Sequence, residues 1–215
     1  PDLAKAYNNL GNACLFLKRY QDAIEAYKQA IGIKPAFAKA QNNLGVTYHS
    51  LGRYQDAVET YKQAIRIKPD YAEARNNLAN SLIEQGELDE ALDQLRSVLQ
   101  LKPDWVEPMN NLAFLIATYP EIKNRDVNEA TRLARRACEL TSYKNPAFLG
   151  TLAAAYASAG KFSEAIDTAH KALSLADAAN QPQIKNIIQH HLTFYTQGKP
   201  YIEPAAAPFP DAPKP

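Results

Sequence analysis

The stretch YNNLG at residues 7–11 returns three times, each time 34 residues further along the chain. It becomes QNNLG at 41–45, RNNLA at 75–79 and MNNLA at 109–113. A self-match at this period is typical of a repeated helical hairpin, because one such unit cannot bury its apolar face until neighbours stack on it. The repeat therefore predicts an all-α fold whose function lies in an exposed surface.

Each repeat contains two amphipathic segments whose apolar residues lie three and four positions apart. Pro35, Pro69 and Pro103 end the second segment of a pair, because proline cannot continue a helix. Gly52 and Gly86 suit the tight turn between paired helices. After two of the prolines, the acidic pairs at positions 70 and 73 and at 104 and 107 have capping-box spacing, so we expect each aspartate to be an N-cap.

The recurring residues resemble the tetratricopeptide repeat signature. They are Tyr7, Leu10, Gly11, Tyr20, Ala23, Tyr27, Ala30 and Pro35, repeated as Leu44, Gly45, Tyr48, Tyr54, Ala57, Tyr61, Ala64 and Pro69. The resemblance implies a right-handed superhelical solenoid of antiparallel helix pairs with a C-terminal capping helix. We predict five hairpins within 1–177, at 1–35, 36–69, 70–103, 104–145 and 146–177, acting as one elongated domain.

The last part of the chain departs from the repeat. The fourth hairpin is lengthened by the insertion EIKNRD at 121–126. A capping helix is expected over 178–198, because its apolar residues form one stripe. The tail at 199–215 is rich in proline and alanine, which favours polyproline II or no fixed structure.

Composition limits the classes of partner. A net charge of +1 argues against nucleic acid, and no apolar run is long enough to predict insertion of this segment into a membrane. Lysines and arginines number ten against five acidic residues over 1–69, but three against nine over 70–120. Cys14 and Cys138 fall in distant repeats and are expected to be free thiols, which weakly favours a reducing, cytoplasmic compartment.

No residue pattern indicates catalysis. The four histidines, at 49, 170, 190 and 191, do not have the spacing of metal ligands. The chain has no glycine-rich phosphate loop and no motif for a nucleophilic serine or cysteine. We therefore expect neither an enzyme nor a metal or other cofactor.

Asparagine recurs in columns on the first helix of each hairpin. One column is Asn9, Asn43, Asn77 and Asn111, the column beside it is Asn8, Asn42, Asn76 and Asn110, and Asn12 and Asn80 follow one turn later. Asparagine is a poor helix former, yet its amide offers both a donor and an acceptor to the main chain of an extended peptide. We interpret the columns as the wall of a peptide-binding groove; local hydrogen bonding within the repeat is the alternative.

The family resemblance places these first helices on the concave side. The other expected groove residues are Lys5 and Lys39 at a basic end, Glu73 and Glu107 at an acidic end, and Phe16, His49 and Phe114 as apolar or aromatic contacts. Replacing Asn43 and Asn77 with alanine is expected to weaken peptide binding with little effect on thermal stability.

Two narrower resemblances bear on the ligand. Tetratricopeptide domains that hold the acidic C-terminus of heat-shock chaperones use a clamp of basic residues and two asparagines. Asn12 and Asn43 match it, but Asn8, Glu73 and Asn77 replace the basic residues, so we do not expect this clamp. The asparagine columns instead resemble the repeat half of O-linked N-acetylglucosamine transferases, and the region after 117 is similar to repeat regions of large bacterial membrane proteins.

These features predict a module that binds an extended peptide or a flexible protein segment. Two alternatives remain open. One is a self-assembling scaffold, in which the basic end meets the acidic middle of another copy or the tail enters a neighbour's groove. The other is the non-catalytic docking region of a larger enzyme such as a glycosyltransferase.

Overall fold

A computed structural model describes residues 2–123 and 125–204, and every regular element within them is an α-helix. The helices are α1 (Asp2–Phe16), α2 (Tyr20–Ile33), α3 (Ala38–Ser50), α4 (Tyr54–Ile67), α5 (Ala72–Glu84), α6 (Leu88–Leu101), α7 (Val106–Thr118), α8 (Val127–Leu140), α9 (Pro146–Ser158), α10 (Phe162–Ala178) and α11 (Pro182–Tyr195). Most of the predicted tail, residues 205–215, lies outside the described residues.

The helices pack in consecutive pairs, and contacts divide the described chain into two compact units. Unit 1, residues 2–101, holds the pairs α1 with α2, α3 with α4 and α5 with α6. Unit 2, residues 102–204, holds α7 with α8 and α9 with α10, and α11 packs on α10 and α9. The repeat pattern alone predicted a single elongated domain.

Tyrosine and glycine set the spacing within the first two hairpins. A Cβ atom added to Gly11 or Gly45 would lie 2.5 or 2.6 Å from Cε1 of Tyr27 or Tyr61, in the second helix of the same pair. Both tyrosine side chains are almost fully buried. Only glycine lets the two helix backbones approach so closely, which explains why the two residue types recur together.

The turns follow the sequence signals, but the helix starts do not. Gly52 and Gly86 have φ angles of 70° and 77°, the left-handed conformation expected of them. The expectation of N-caps at positions 70 and 104 is wrong, because the N-caps of α5 and α7 are Tyr71 and Trp105, without a side-chain capping bond. These aromatic rings instead lie beneath lysine ammonium groups, with Lys68 Nζ 5.2 Å from the centroid of the Tyr71 ring.

In unit 2 the insertion and the start of the tail both reach the C-terminus of α7. The last four carbonyls of this helix, at 115–118, lack partners within the helix. The Tyr119 N–H donates to the first, the Arg125 guanidinium to the next two, and the Glu203 N–H to the last at 3.0 Å. Arg125 also donates to Ser158 Oγ of α9 at 2.6 Å.

We predict that Gly45→Ala lowers the free energy of unfolding by about 1–3 kcal/mol, because the new methyl group would overlap the buried Tyr61 ring. The matched control is Gly32→Ala in α2, where an added Cβ meets nothing within 4 Å. That variant should be as stable as the native chain or up to about 1 kcal/mol more stable, since alanine is the better helix former. Chemical denaturation followed by circular dichroism measures both; equal losses would contradict the explanation.

Candidate functional site

The first helices of unit 1 present one shared polar face. α1 contacts α3, and α3 contacts α5, so equivalent residues lie side by side. The polar face consists of Lys5, Asn9, Asn12 and Phe16 on α1, Lys39, Asn43, Val46 and Ser50 on α3, and Glu73, Asn77, Asn80 and Glu84 on α5. Spacings of four, three and four residues keep each set on one side of its helix.

Several asparagine amides link one hairpin to the next. Nδ2 of Asn43 in α3 donates to Asn12 Oδ1 at 2.9 Å and to Asn8 Oδ1 at 3.1 Å, both in α1. One repeat later, Asn77 Nδ2 in α5 donates to Asn42 Oδ1 in α3 at 3.0 Å. The local hydrogen-bonding role that the sequence left open is therefore present in unit 1.

Burial explains why these bonds matter to stability. Asn8 and Asn42 are only 3% and 7% exposed, and a buried amide is costly unless its polar atoms are paired. Asn12 Oδ1 also accepts from Tyr27 Oη at 2.8 Å, so the network reaches the tyrosine seated on Gly11. Oδ1 of Asn76 and Oδ1 of Asn110 are both buried with no hydrogen-bond partner among the described residues, so the pairing seen at Asn8 and Asn42 does not extend to every repeat.

The predicted groove residues separate by exposure. The exposed ones are Lys5, Asn9, Asn12, Phe16, Lys39, Glu73 and Glu107; the half-buried ones are Asn43, Asn76, Asn77, Asn80, Asn110, Asn111, His49 and Phe114. His49 points away from the polar face, because its Nδ1 lies 2.8 Å from Ser81 Oγ of α5 and its ring contacts Tyr54 edge-on. Phe114 belongs to unit 2, where it lines a different cavity.

Unit 2 contains a cavity of about 450 Å³, which we name the ring pocket. Its wall comes from the end of α7, one side of α11 and the chain that follows α11. The lining residues are Phe114, Tyr119, Asn186, Ile187, His190, His191, Tyr201 and Glu203. Ile187, expected on the buried stripe of the capping helix, is instead 55% exposed, whereas Ile188 is buried against Gly150 of α9.

Stacked rings fix the wall of the ring pocket. The rings of His191 and Tyr201 lie face to face with centroids 3.9 Å apart and planes 22° apart. Burial, with a smaller effect of His190, lowers the pKa of His191 to about 4, so this imidazole is neutral at neutral pH. Burial raises the pKa of Tyr201 to about 12, with further contributions from the charge of Glu203 and a hydrogen bond to it.

Sequence reasoning did not find the ring pocket. His190 and His191 were considered only as metal ligands, and Tyr201 was assigned to a tail expected to form polyproline II or to have no fixed structure. The available signal was an aromatic residue shortly after a helix that carries paired histidines in its last two turns. Among the described residues, no three histidine, cysteine or acidic side chains are grouped to hold a metal ion. Within the same residues, no helix is both long and apolar enough to cross a bilayer.

The family follows from comparison with known families. Two models of the tetratricopeptide repeat match the chain, one over residues 1–36 and 9–72 and the other over 49–113. Together they span more than half of the 215 residues. The chain belongs to the tetratricopeptide repeat family. No curated protein matches it in sequence.

Solved structures share the fold of this tetratricopeptide repeat protein. A fragment of MamA from Desulfovibrio magneticus RS-1 has a TM-score of 0.73 at 17% identity, covering 83% of this chain and 97% of that one. YrrB, described as having an unusual peptide-binding site, has a TM-score of 0.70 at 19% identity, covering 86% and 89%. The first repeat domain of RPAP3, bound to the HSP90 peptide SRMEEVD, has a TM-score of 0.52 at 22% identity, covering 53% and 90%. The predicted class, an all-α solenoid of helix pairs, is confirmed.

The hydrogen bonds revise the expected effect of removing asparagines. We predict that Asn43→Ala lowers the free energy of unfolding by about 1–3 kcal/mol, because the acceptor of buried Asn8 loses its donor. The control is Asn9→Ala, the exposed residue at the same repeat position, which should change stability by less than about 0.5 kcal/mol. Denaturation midpoints of the two variants test this, and a negligible loss for Asn43→Ala would contradict a structural role.

Proposed function

We propose that this tetratricopeptide repeat protein is a protein-interaction module that binds an extended segment of a partner along the polar face of unit 1. The observation that supports this function is the alignment of exposed polar and aromatic side chains on adjacent first helices. Lys5 and Lys39 stand at equivalent positions on neighbouring helices, and both are exposed. Phe16 is 87% exposed at the other end of α1.

The asparagine network suits such a surface because it holds side chains in place before a ligand arrives. Asn43 is fixed by its bonds to Asn8 and Asn12 but remains half-buried rather than fully enclosed. A group that is already ordered loses less conformational entropy on binding. Exposed Asn9 offers a donor and an acceptor to a peptide main chain, and the lysines attract acidic side chains.

Two structural relatives support peptide recognition by this fold, since YrrB is described by its peptide-binding site and RPAP3 by its bound HSP90 peptide. A carboxylate clamp is not proposed here. Asn12 and Asn43 are hydrogen-bonded to each other, and position 8 holds a buried asparagine where a basic residue is needed. The ligand is therefore expected to be gripped along its main chain rather than at a terminal carboxylate.

A docking region of a larger enzyme, such as a glycosyltransferase, would use the same face and would itself be non-catalytic. The resemblance to the repeat half of the O-linked N-acetylglucosamine transferases stays a prediction. A docking region of an enzyme would bind a partner that is modified after binding, whereas a simple interaction module leaves its partner unchanged.

We predict that the double variant Asn9→Ala with Lys39→Ala weakens binding roughly tenfold, because it removes one hydrogen-bonding group and one charge from the polar face. The probe is a peptide selected from a random display library on the native chain, and calorimetric titration measures the affinity. Neither residue belongs to the inter-hairpin network, so the unfolding transition should not move.

The control for this titration is Lys28→Ala, which removes an exposed lysine from α2. It should bind the selected peptide as the native chain does. The peptide SRMEEVD is expected to bind poorly, because basic residues of the clamp are missing. Undiminished affinity of the double variant would place the peptide elsewhere and reject the polar face.

A second candidate function, self-assembly, is favoured by a different face of α1. Leu3 and Leu10 of α1, and Leu17 directly after this helix, recur every seventh residue and are 60%, 52% and 61% exposed. One repeat later, Leu44, which corresponds to Leu10, is covered within unit 1 and only 6% exposed, whereas Leu51, which corresponds to Leu17, is 41% exposed. We propose a second copy of the chain as the occupant, because the basic residues of 1–69 complement the acidic excess of 70–120.

If copies associate through α1, Leu10→Glu should weaken association by at least about tenfold, because a carboxylate would be buried without a partner. Leu140→Glu, at an exposed leucine that ends α8 and lies outside residues 1–120, is the control and should associate like the native chain. Sedimentation velocity over rising protein concentration measures both. A native chain that stays monomeric throughout would exclude self-assembly by this route.

A further inference from the structure

The ring pocket of unit 2 has the features of a second binding site, and every described residue that lines it lies within 102–204. The pocket shares no described residue with the polar face of unit 1, so a ligand of the pocket does not depend on the function proposed for that face. Its volume, about 450 Å³, accommodates one long side chain or a small organic ion.

The wall of the pocket is preformed. α7 supplies Phe114, and the chain after α11 is fixed opposite by two contacts. The Glu203 N–H donates to the Thr118 carbonyl at 3.0 Å, and the Tyr201 ring stacks on His191. Tyr201 is only 9% exposed although it lies outside any helix. A ligand would not have to order this segment, which lowers the entropic cost of binding.

Aromatic rings form much of the wall of the pocket. Phe114, Tyr119 and Tyr201 each carry a π-system whose face is electron-rich. The His190 ring stands 5.7 Å from Tyr201 and nearly perpendicular to it, so the rings present both faces and edges. A cation placed over such faces is attracted by the ring quadrupoles, more strongly where water is partly excluded.

The formal charge of the lining also favours a cationic ligand. Among the described residues that form the wall, Glu203 is the one carboxylate, and none is a lysine or an arginine. His191 contributes no positive charge at neutral pH, and His190, at the exposed edge, is the one other titratable base of the lining. The pocket thus combines one negative charge with several rings, which is an environment complementary to a cation.

We propose that the ring pocket binds the guanidinium or ammonium group of a cationic side chain presented by a protein partner, and that arginine fits it best. The planar guanidinium can stack on an aromatic face and donate in its own plane to a carboxylate such as Glu203. The lysine ammonium group carries the same charge but is not planar, so it is attracted to the rings and the carboxylate without stacking on a ring. Asn186 adds an amide oxygen that can accept from a second N–H of the ligand.

The test uses the full chain and two probes, the capped tripeptide acetyl-Gly-Arg-Gly-amide and the same peptide with citrulline, which keeps the shape of arginine but has no charge. NMR spectra of the histidine imidazole groups report on the pocket directly, because His190 and His191 line it. At slightly alkaline pH, the arginine peptide should shift these signals in a saturable titration, and the citrulline peptide should not.

The protein variant that tests the site is Glu203→Gln, which keeps the size of the side chain and the backbone bond to Thr118. We expect it to weaken binding of the arginine peptide roughly five- to tenfold. Glu164→Gln, at an exposed residue of α10 outside the pocket, is the matched control and should bind like the native chain. The double variant Asn9→Ala with Lys39→Ala should also bind this probe normally, so failure of the two proposals can be told apart.

Equal binding of the arginine and citrulline peptides would overturn the proposal, since charge would not be recognised, and so would an absence of saturable shifts with the arginine peptide. A Glu203→Gln variant that keeps native affinity would overturn the role of the carboxylate. Methylguanidinium as a third probe separates the sources of the same chemistry. If it binds as tightly as the peptide, the site serves a small cation; if it binds more weakly, the site serves a protein partner.

Discussion

Unit 1 depends on the way each hairpin covers its neighbour. Stacking buries the apolar stripe of α3 and, at the same time, pairs the amides of Asn8 and Asn12 with Asn43. The apolar contact supplies the driving force, and the amide contacts fix the register, because a shifted helix would leave buried donors or acceptors unpaired. The unpartnered stripe of α1 shows what the same helix surface looks like without a covering hairpin.

Much of the helical architecture could be read from the sequence because repetition multiplies weak signals. A single proline or a single amphipathic segment predicts little. Pro35, Pro69 and Pro103 recur at a constant spacing, and this recurrence predicts where each helix pair ends. The joint recurrence of a glycine and a tyrosine, by contrast, found its reason only in the structure, where each tyrosine ring lies against the glycine of the paired helix. The N-caps were not readable from the sequence, because Tyr71 and Trp105 lie where the spacing of acidic residues suggested a capping box.

The candidate sites were less accessible to sequence reasoning, for two physical reasons. An asparagine that hydrogen-bonds across hairpins and one that faces a ligand look alike in a sequence, and only burial separates Asn8 from Asn9. The ring pocket arises where the chain after α11 meets the end of α7, which lies far earlier in the sequence. Tyr201 stacks on His191, and the backbone of Glu203 reaches the end of α7. No local pattern predicts the bond between the Glu203 N–H and the Thr118 carbonyl, since helices α8 to α11 lie between these two residues in the sequence.

The C-terminus of α7 shows how a repeat can contain an irregular segment while the carbonyls at the helix end keep their hydrogen bonds. Lengthening the turn after α7 removes the neighbouring backbone that would complete the helix end, and four buried carbonyls would then be costly. Arg125, carried by the insertion, satisfies two of them, and the chain after α11 satisfies another. The same bonds hold Glu203 beside Tyr119 and Phe114. The carbonyls at the end of α7 need hydrogen-bond donors, and the Glu203 N–H is one of them. Because this bond fixes the backbone of Glu203, it also places the Glu203 carboxylate among the aromatic rings of the ring pocket.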